Sequence, residues 1–202
     1  MSDALSVRLA AAVADEAEID GVYEGGTAAG LDLAGAEFAA AHFTGCRFDG
    51  CDFSGASFYG TAFSDCVFRN CRFAAAYFRD GRLLRPTADE TDFRECSFRF
   101  CLLEKGSYVY ANFSDAAWEG CRIEGGCFKN AFLSGNRFKK TSFAAADFTG
   151  ADFFRTRLKD IDLSGCTIAG IRVSDTFAEL AGLKIAPAQA ADIAAILGVK
   201  IK

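Results

Sequence analysis

From Leu33 to Val173 a large apolar residue recurs at every fifth position, and polar residues fill most of the places between. The column runs Leu33, Phe38, Phe43, Phe48, Phe53, Phe58, Phe63, Phe68, Phe73, Phe78 and Leu83. After Ala88, its one small member, it resumes from Phe93 to Val173 in unbroken register. It spans 29 consecutive units and holds 17 of the 21 phenylalanines. A period of five matches neither a helix nor an ordinary strand. It predicts a solenoid, in which each unit buries its apolar side by stacking on its neighbours.

Two residues before each large residue stands a second column, in which 24 of 29 positions are Ala, Cys, Thr or Gly, as at Ala36, Cys46, Cys51, Ala56 and Thr61. Alternation of large and small inward side chains fills a narrow tube without voids. Glycine recurs at the last position of the unit, for example Gly45, Gly50 and Gly55, where a corner must turn. The remaining positions carry nearly all the charge and face solvent.

Units such as Cys46-Arg-Phe-Asp-Gly, Cys51-Asp-Phe-Ser-Gly and Ala146-Asp-Phe-Thr-Gly resemble the pentapeptide-repeat family, written A(D/N)LxX. The resemblance implies an all-β solenoid, a right-handed quadrilateral β-helix with four pentapeptides per coil and about seven coils. At about 4.8 Å per coil, the rod would be about 34 Å long.

Three segments follow from this register. Residues 1–22 fit no repeat and form an acidic N-terminal segment or cap, although Tyr23 already stands in the large column. Residues 23–183 are the repeat region. Within it Pro86 takes the small column and Ala88 the large one, which predicts a thin core and a local bulge or bend. Residues 184–202 read as a helix and a short strand, with Pro187 suited to a first helical turn and Gly198 to the position after the last. An open solenoid end exposes strand edges and core rings, so this segment is expected to cap the rod or pair two rods. The Gln189-Ala190 pair and the Leu197-Gly198-Val199 run are similar to the C-terminus of the Qnr quinolone-resistance proteins and their MfpA-type relatives. That resemblance implies a homodimer through Ile193, Ile196, Leu197, Val199 and Ile201.

Charge is balanced where the repeats are. Residues 31–173 hold 18 acids and 18 bases, and the first 30 residues carry six acids against Arg8. No basic tract points to direct nucleic-acid binding. The N-terminus lacks the basic flank and apolar core of a signal peptide, and no stretch is long enough to span a bilayer, so cytoplasmic residence is the expectation.

Eight of the nine cysteines share the small column with Ala, which makes them small hydrophobes rather than metal ligands or disulfides; only Cys127 lies elsewhere. Pairs twenty residues apart, such as Cys46/Cys66, Cys51/Cys71 and Cys101/Cys121, should stack on adjacent coils as thiols. His42 falls outward with no nucleophile beside it. Trp118 and Tyr108 are core residues whose polar atoms need partners. No phosphate loop, carboxylate pair or ligand set emerges, so neither an enzyme, a cofactor nor a metal is expected.

Such a rod acts by presenting a surface. In the Qnr and MfpA branch the resemblance implies mimicry of DNA and binding to DNA gyrase or topoisomerase IV. The face bearing Phe53 and Phe113 carries Asp32, Asp52, Asp92, Glu95, Asp115, Asp152 and Asp175 against four arginines, a net of −3. Asp32, Asp52, Asp92, Glu95, Asp115 and Asp152 are the candidate partner-binding residues. The next face, with Phe58 and Phe98, is basic by +3. The alternative is an interaction scaffold for an unrelated protein, drawing on the outward aromatics Tyr59, Tyr77, Phe100, Phe132 and Phe154.

Overall fold

The computed structural model describes residues 4–200 and is a parallel β-solenoid. Strands pair in register with an offset of twenty residues, setting Phe38 opposite Phe58, Phe43 opposite Phe63 and Phe48 opposite Phe68. Four units therefore close one coil, and the rod has four faces, named after the inward residues Phe53, Phe58, Phe63 and Phe68. The Phe63 face is a seven-stranded parallel sheet from Val22–Glu24 to Ser142–Ala144, about six turns, close to the seven coils expected. The Phe58 face has six strands, from Glu37–Ala39 to Arg137–Lys139. The Phe68 face has three strands followed by single bridges, and the Phe53 face has single bridges alone.

Both inward columns are buried, as the alternation demands. Rings in one column stack coil upon coil: Phe38, Phe58, Phe78, Phe98 and Trp118 follow one another at centroid separations of 4.5, 4.5, 4.8 and 4.1 Å. Phe53, Phe73, Phe93 and Phe113 do the same at 4.5, 5.0 and 4.8 Å. The spacing is imposed by the strand separation of about 4.8 Å, and each buried ring contributes about 2–3 kcal/mol. Corners turn through left-handed backbone even without glycine. Asp65, Asn70, Ala75, Arg85, Glu95, Phe100 and Tyr110 all have φ between 50 and 59° there, at a cost of about 1–2 kcal/mol each. At one corner glycine is obligatory for a second reason: a Cβ on Gly120 would lie 2.6 Å from the Phe100 ring, which rests across it.

At Pro86 and Ala88 the form of the turn changes. Thr87 bridges both Val67 and Ser107, so pairing runs through the irregular coil. From here on the Phe68 face ends each unit in a tight turn; Thr91 N donates to Ala88 O at 3.4 Å and Ala111 N to Tyr108 O at 3.1 Å. The room left by a small residue in the large column is used by neighbours: the Tyr108 ring and Pro86 converge on Gly106, where a Cβ would meet them at 2.6 and 2.9 Å. Asp89 ties the coil upward, accepting from Ser107 Oγ at 2.6 Å and Val109 N at 2.8 Å.

Helix α1, Ala4–Ala14, packs on Thr27–Ala29 and buries Leu5 and Leu9. Arg8 lies over the Tyr23 ring at 4.0 Å, covering the first coil. At the other end the twenty-residue period fails. Phe153 N bonds the carbonyl nineteen residues on, Arg172 O, whereas Leu158 N bonds Glu179 O and Leu163 N bonds Lys184 O, each twenty-one residues on. Two extra residues are thus taken up between Arg172 and Glu179, by left-handed Phe177 and the 3-10 turn Ala178–Leu180. Helix α2, Ala190–Ile196, follows the turn Pro187–Gln189. No strand follows it at Val199 and Lys200, because the Val199 amide is held by Ala194 O at 2.8 Å, continuing the helix end.

Candidate partner-binding surface

On the Phe53 face, Asp32, Asp52, Arg72, Asp92, Asn112, Phe132, Asp152 and Arg172 form one unbroken column, each bridged to the next. The carboxylates in it have a structural task. Their Oδ1 atoms accept the amide two residues on: Ala34 at 3.1 Å, Ser54 at 2.9 Å, Arg94 at 3.1 Å and Phe154 at 2.9 Å. Asp or Asn before the large residue therefore closes the turn that follows.

Arginines of the same face neutralise much of the strip. Arg72 reaches Asp52 at 3.1 Å, Arg94 grips Asp92 through two bonds of 2.9 and 2.8 Å, and Arg172 stands 3.9 Å from Asp152. Hydrogen bonding from Ser54, aided by Arg72, holds the Asp52 carboxyl below its ordinary range, and the Arg94 guanidinium does the same for Asp92. Among the described residues no ion pair is formed by Asp32, Glu95, Asp115 or Asp175, all exposed. The expected acidic set thus divides. Asp52, Asp92 and Asp152 are paired, while Asp32 and the neighbours Glu95 and Asp115, one coil apart, present free charge.

The Phe58 face is uneven too. Arg79, Arg99 and Lys139 are met by Asp80 at 3.4 Å and by Glu119 at 3.9 and 2.6 Å. Among the described residues Arg137, Lys140, Arg157 and Lys159 form no ion pair, so its excess positive charge gathers near the C-terminal coils.

Of the proposed dimerisation residues, Ile193 and Ile196 pack against the core, whereas Leu197 and Val199 are 48% and 55% exposed; Ile201 lies outside the described residues. Beside α2 a groove of about 510 Å³ is floored by Ile171, Val173, Phe177 and Ile196. The last coil is sealed by Gln189, whose Nε2 donates to Leu163 O at 2.9 Å and Cys166 O at 2.6 Å while its Oε1 accepts Ala186 N at 2.7 Å. Glu179 plays a similar part where the two extra residues enter. It accepts Arg155 N at 2.8 Å, Ser174 N at 3.2 Å and Ser174 Oγ at 2.8 Å. Burial opposes its ionisation, yet these donors prevail and hold the carboxyl below its ordinary value.

The cysteines lie where the small column puts them, eight buried and Cys127 partly exposed, none in a disulfide. A thiol-to-thiol hydrogen bond with an adjacent coil, to Cys46, Cys51 and Cys121 in turn, reinforced by burial, pushes Cys66, Cys71 and Cys101 up, away from the reactive thiolate. His42 is exposed. Among the described residues no group of three or more His, Cys, Asp or Glu is arranged to hold a metal, and no helix is long and apolar enough to cross a membrane. Trp118 Nε1 donates to Asn136 Oδ1 at 2.6 Å, while the buried Tyr108 hydroxyl has no hydrogen-bond partner. Four of the five outward aromatics are exposed, Phe100 56%, Tyr59 44%, Phe154 41% and Phe132 38%, so the last two are not covered by α2; Tyr77 is half-buried beside Tyr59. Sequence reasoning missed Asn136 and Glu179, the sealing role of Gln189, which it had picked out only for its resemblance, and the turn-closing role of the Asp residues; for the last, the recurring Asp before the large residue was the available signal.

Comparison with known proteins finds one family model that matches part of the chain. The model described as pentapeptide repeats matches residues 32–70 and 137–170, in eight copies. No curated protein matches the chain. Among solved structures, full-length QnrB1, a plasmid-mediated fluoroquinolone resistance protein, is similar over 79% of this chain and 97% of its own, at 24% identity and a TM-score of 0.38. HetL, a pentapeptide repeat protein involved in heterocyst differentiation regulation in the cyanobacterium Nostoc, covers 83% and 86% at 14% identity and 0.32. A pentapeptide repeat protein from the Arabidopsis thaliana thylakoid lumen covers 55% and 68% at 24% identity and 0.25.

Proposed function

We propose that this pentapeptide-repeat protein is a non-catalytic rod that binds a type II topoisomerase, gyrase or topoisomerase IV, on the surface that otherwise receives DNA. Two rods join through their C-terminal ends. The observation that carries the reading is the Phe53 face, where Asp32, Glu95 and Asp115 project unpaired from rigid stacked coils. Carboxylates held at fixed positions imitate phosphates for a basic saddle, at little ordering cost. The similarity of the C-terminal segment to the Qnr and MfpA branch supports the same partner and the end-to-end dimer. Within that dimer Leu197 and Val199 supply the apolar contact, since Ile193 and Ile196 already serve the core.

The test is a supercoiling assay with purified gyrase, with and without a quinolone, titrated with this protein. Inhibition or drug rescue that is lost when Asp32, Glu95 and Asp115 are changed to Lys supports the reading. No effect at any dose, from protein shown to be folded, favours the second reading of a scaffold for an unrelated protein. The exposed Phe100, Phe132 and Phe154 favour that alternative, because apolar side chains on a soluble surface mark contacts.

A further inference from the structure

Two of the cations left unpaired on the Phe58 face, Arg157 and Lys159, meet Arg155 of the Phe53 face at a built cleft. Arg155, Arg157 and Lys159 line one wall of a depression of about 620 Å³, and the 3-10 segment bearing Ala178, Ala181 and Gly182 forms the other. The cleft exists because the coil takes up two extra residues here, so that the chain beyond Leu158 lies against 179–182 in a shifted register. Thr156 and Leu158 point inward and are buried. The three cations therefore alternate outward, about 6–7 Å apart along the chain. Arg155 is steadied over the Phe154 ring at 5.0 Å. The stem of Lys159 lies against Gly182, where a Cβ would stand 3.1 Å from its Cγ.

The one carboxylate in the lining is withheld from them. Glu179 is buried, and its oxygens are taken by the Arg155 amide and by Ser174. Among the described residues none of the three cations has an ion-pair partner, in contrast to Arg79, Arg99 and Lys139 on the Phe58 face. Cations crowded together without counter-charge repel one another, and an anion of several charges relieves that repulsion. Guanidinium groups supply the forked donors that phosphate oxygens accept.

We infer that this cleft binds a small, multiply charged phosphate anion, with Arg155, Arg157 and Lys159 as its ligands. Its volume is that of a pocket for a compact molecule, and the segment 178–182 walls it in opposite the cations, which favours a small anion over a nucleic-acid backbone. The site lies apart from the acidic strip, and its test involves no topoisomerase.

Calorimetric titration of the full chain with inorganic triphosphate at low salt should show one saturable site, at least tenfold weaker for monophosphate. Replacing Arg157→Gln and Lys159→Gln together should reduce binding at least tenfold while thermal melting shows the fold intact. Arg79→Gln with Arg99→Gln, where both cations are ion-paired, should leave it unchanged. Absence of saturable binding would overturn the inference, as would binding indifferent to the first pair of substitutions. Duplex DNA that binds at the same residues more tightly than triphosphate, and is not displaced by it, would overturn the choice of a small anion.

Discussion

The coils from Tyr23 to Trp118 and those from Asn136 to Lys184 share one repeat length and differ in almost everything it supports. In the first region the small column is Ala, Cys, Thr or Gly except at Leu31 and Pro86, and rings rest on rings at 4.1 to 5.2 Å. In the second, Ile161 and Ile171 occupy the small column and Leu158, Leu163 and Ile168 replace aromatics. Ile161 stands in the small column one coil above Thr141. Both long sheets end at this level, with Arg137–Lys139 and Ser142–Ala144 as their last strands. Trp118 and Phe138 are 6.2 Å apart, and Phe138 and Phe143 are partly exposed. A solenoid is held laterally by strand pairing and axially by the fit of its columns, and in the second region both weaken at the same coil.

The largest effect expected is at the ring stack. Phe98→Ala should cost about 3–5 kcal/mol in urea unfolding, since the residue is sandwiched between Phe78 and Trp118. Phe138→Ala should cost clearly less; equal losses would mean the two regions are packed alike.

Next come the polar residues that repair the irregular region. Asn136→Ala should cost about 2–3 kcal/mol, because it strands the buried Trp118 Nε1 and the Phe113 carbonyl that Asn136 Nδ2 now reaches at 2.7 Å. Glu179 adds a pH signature. Its folded carboxyl titrates below the ordinary glutamate value, so its contribution is complete above that value and fades as pH falls through the lower, folded one. Melting curves taken from neutral to acidic pH should show Glu179→Gln losing less stability on acidification than the native chain. Identical acid profiles would contradict the role given to Glu179.

The smallest effect is at the corners. Ala75→Gly and Ala145→Gly, at φ of 57 and 52°, should each stabilise by about 0.5–1 kcal/mol in urea unfolding, relief of left-handed strain exceeding the added chain entropy. A loss at Ala75 would show that its methyl group is a contact rather than a burden.

The inward columns were readable from the sequence because a five-residue period leaves each side chain one direction to point, and Phe38 to Trp118 obey it. The fate of Pro86 and Ala88 was not readable, since it depends on Gly106 and Tyr108 in the next coil. The acidic face was legible in position but not in charge. That Asp52 faces Arg72 across coils follows from the twenty-residue register, but which pairs form depends on side-chain reach, and it leaves Glu95 and Asp115 free. Glu179 and the sealing role of Gln189 were not readable because both work where the period has lapsed.

Native-state hydrogen exchange resolved by residue tests the difference between the regions most directly. Amides of Ser97–Arg99 and Leu102–Glu104, with strands on both sides, should exchange only through global unfolding. Those of Arg137–Lys139 and Ser142–Ala144 should exchange much faster, through local opening of the upper coil. Uniform protection along the whole rod would contradict the claim that the coils beyond Ser142–Ala144 are held less firmly than the ring stack before them.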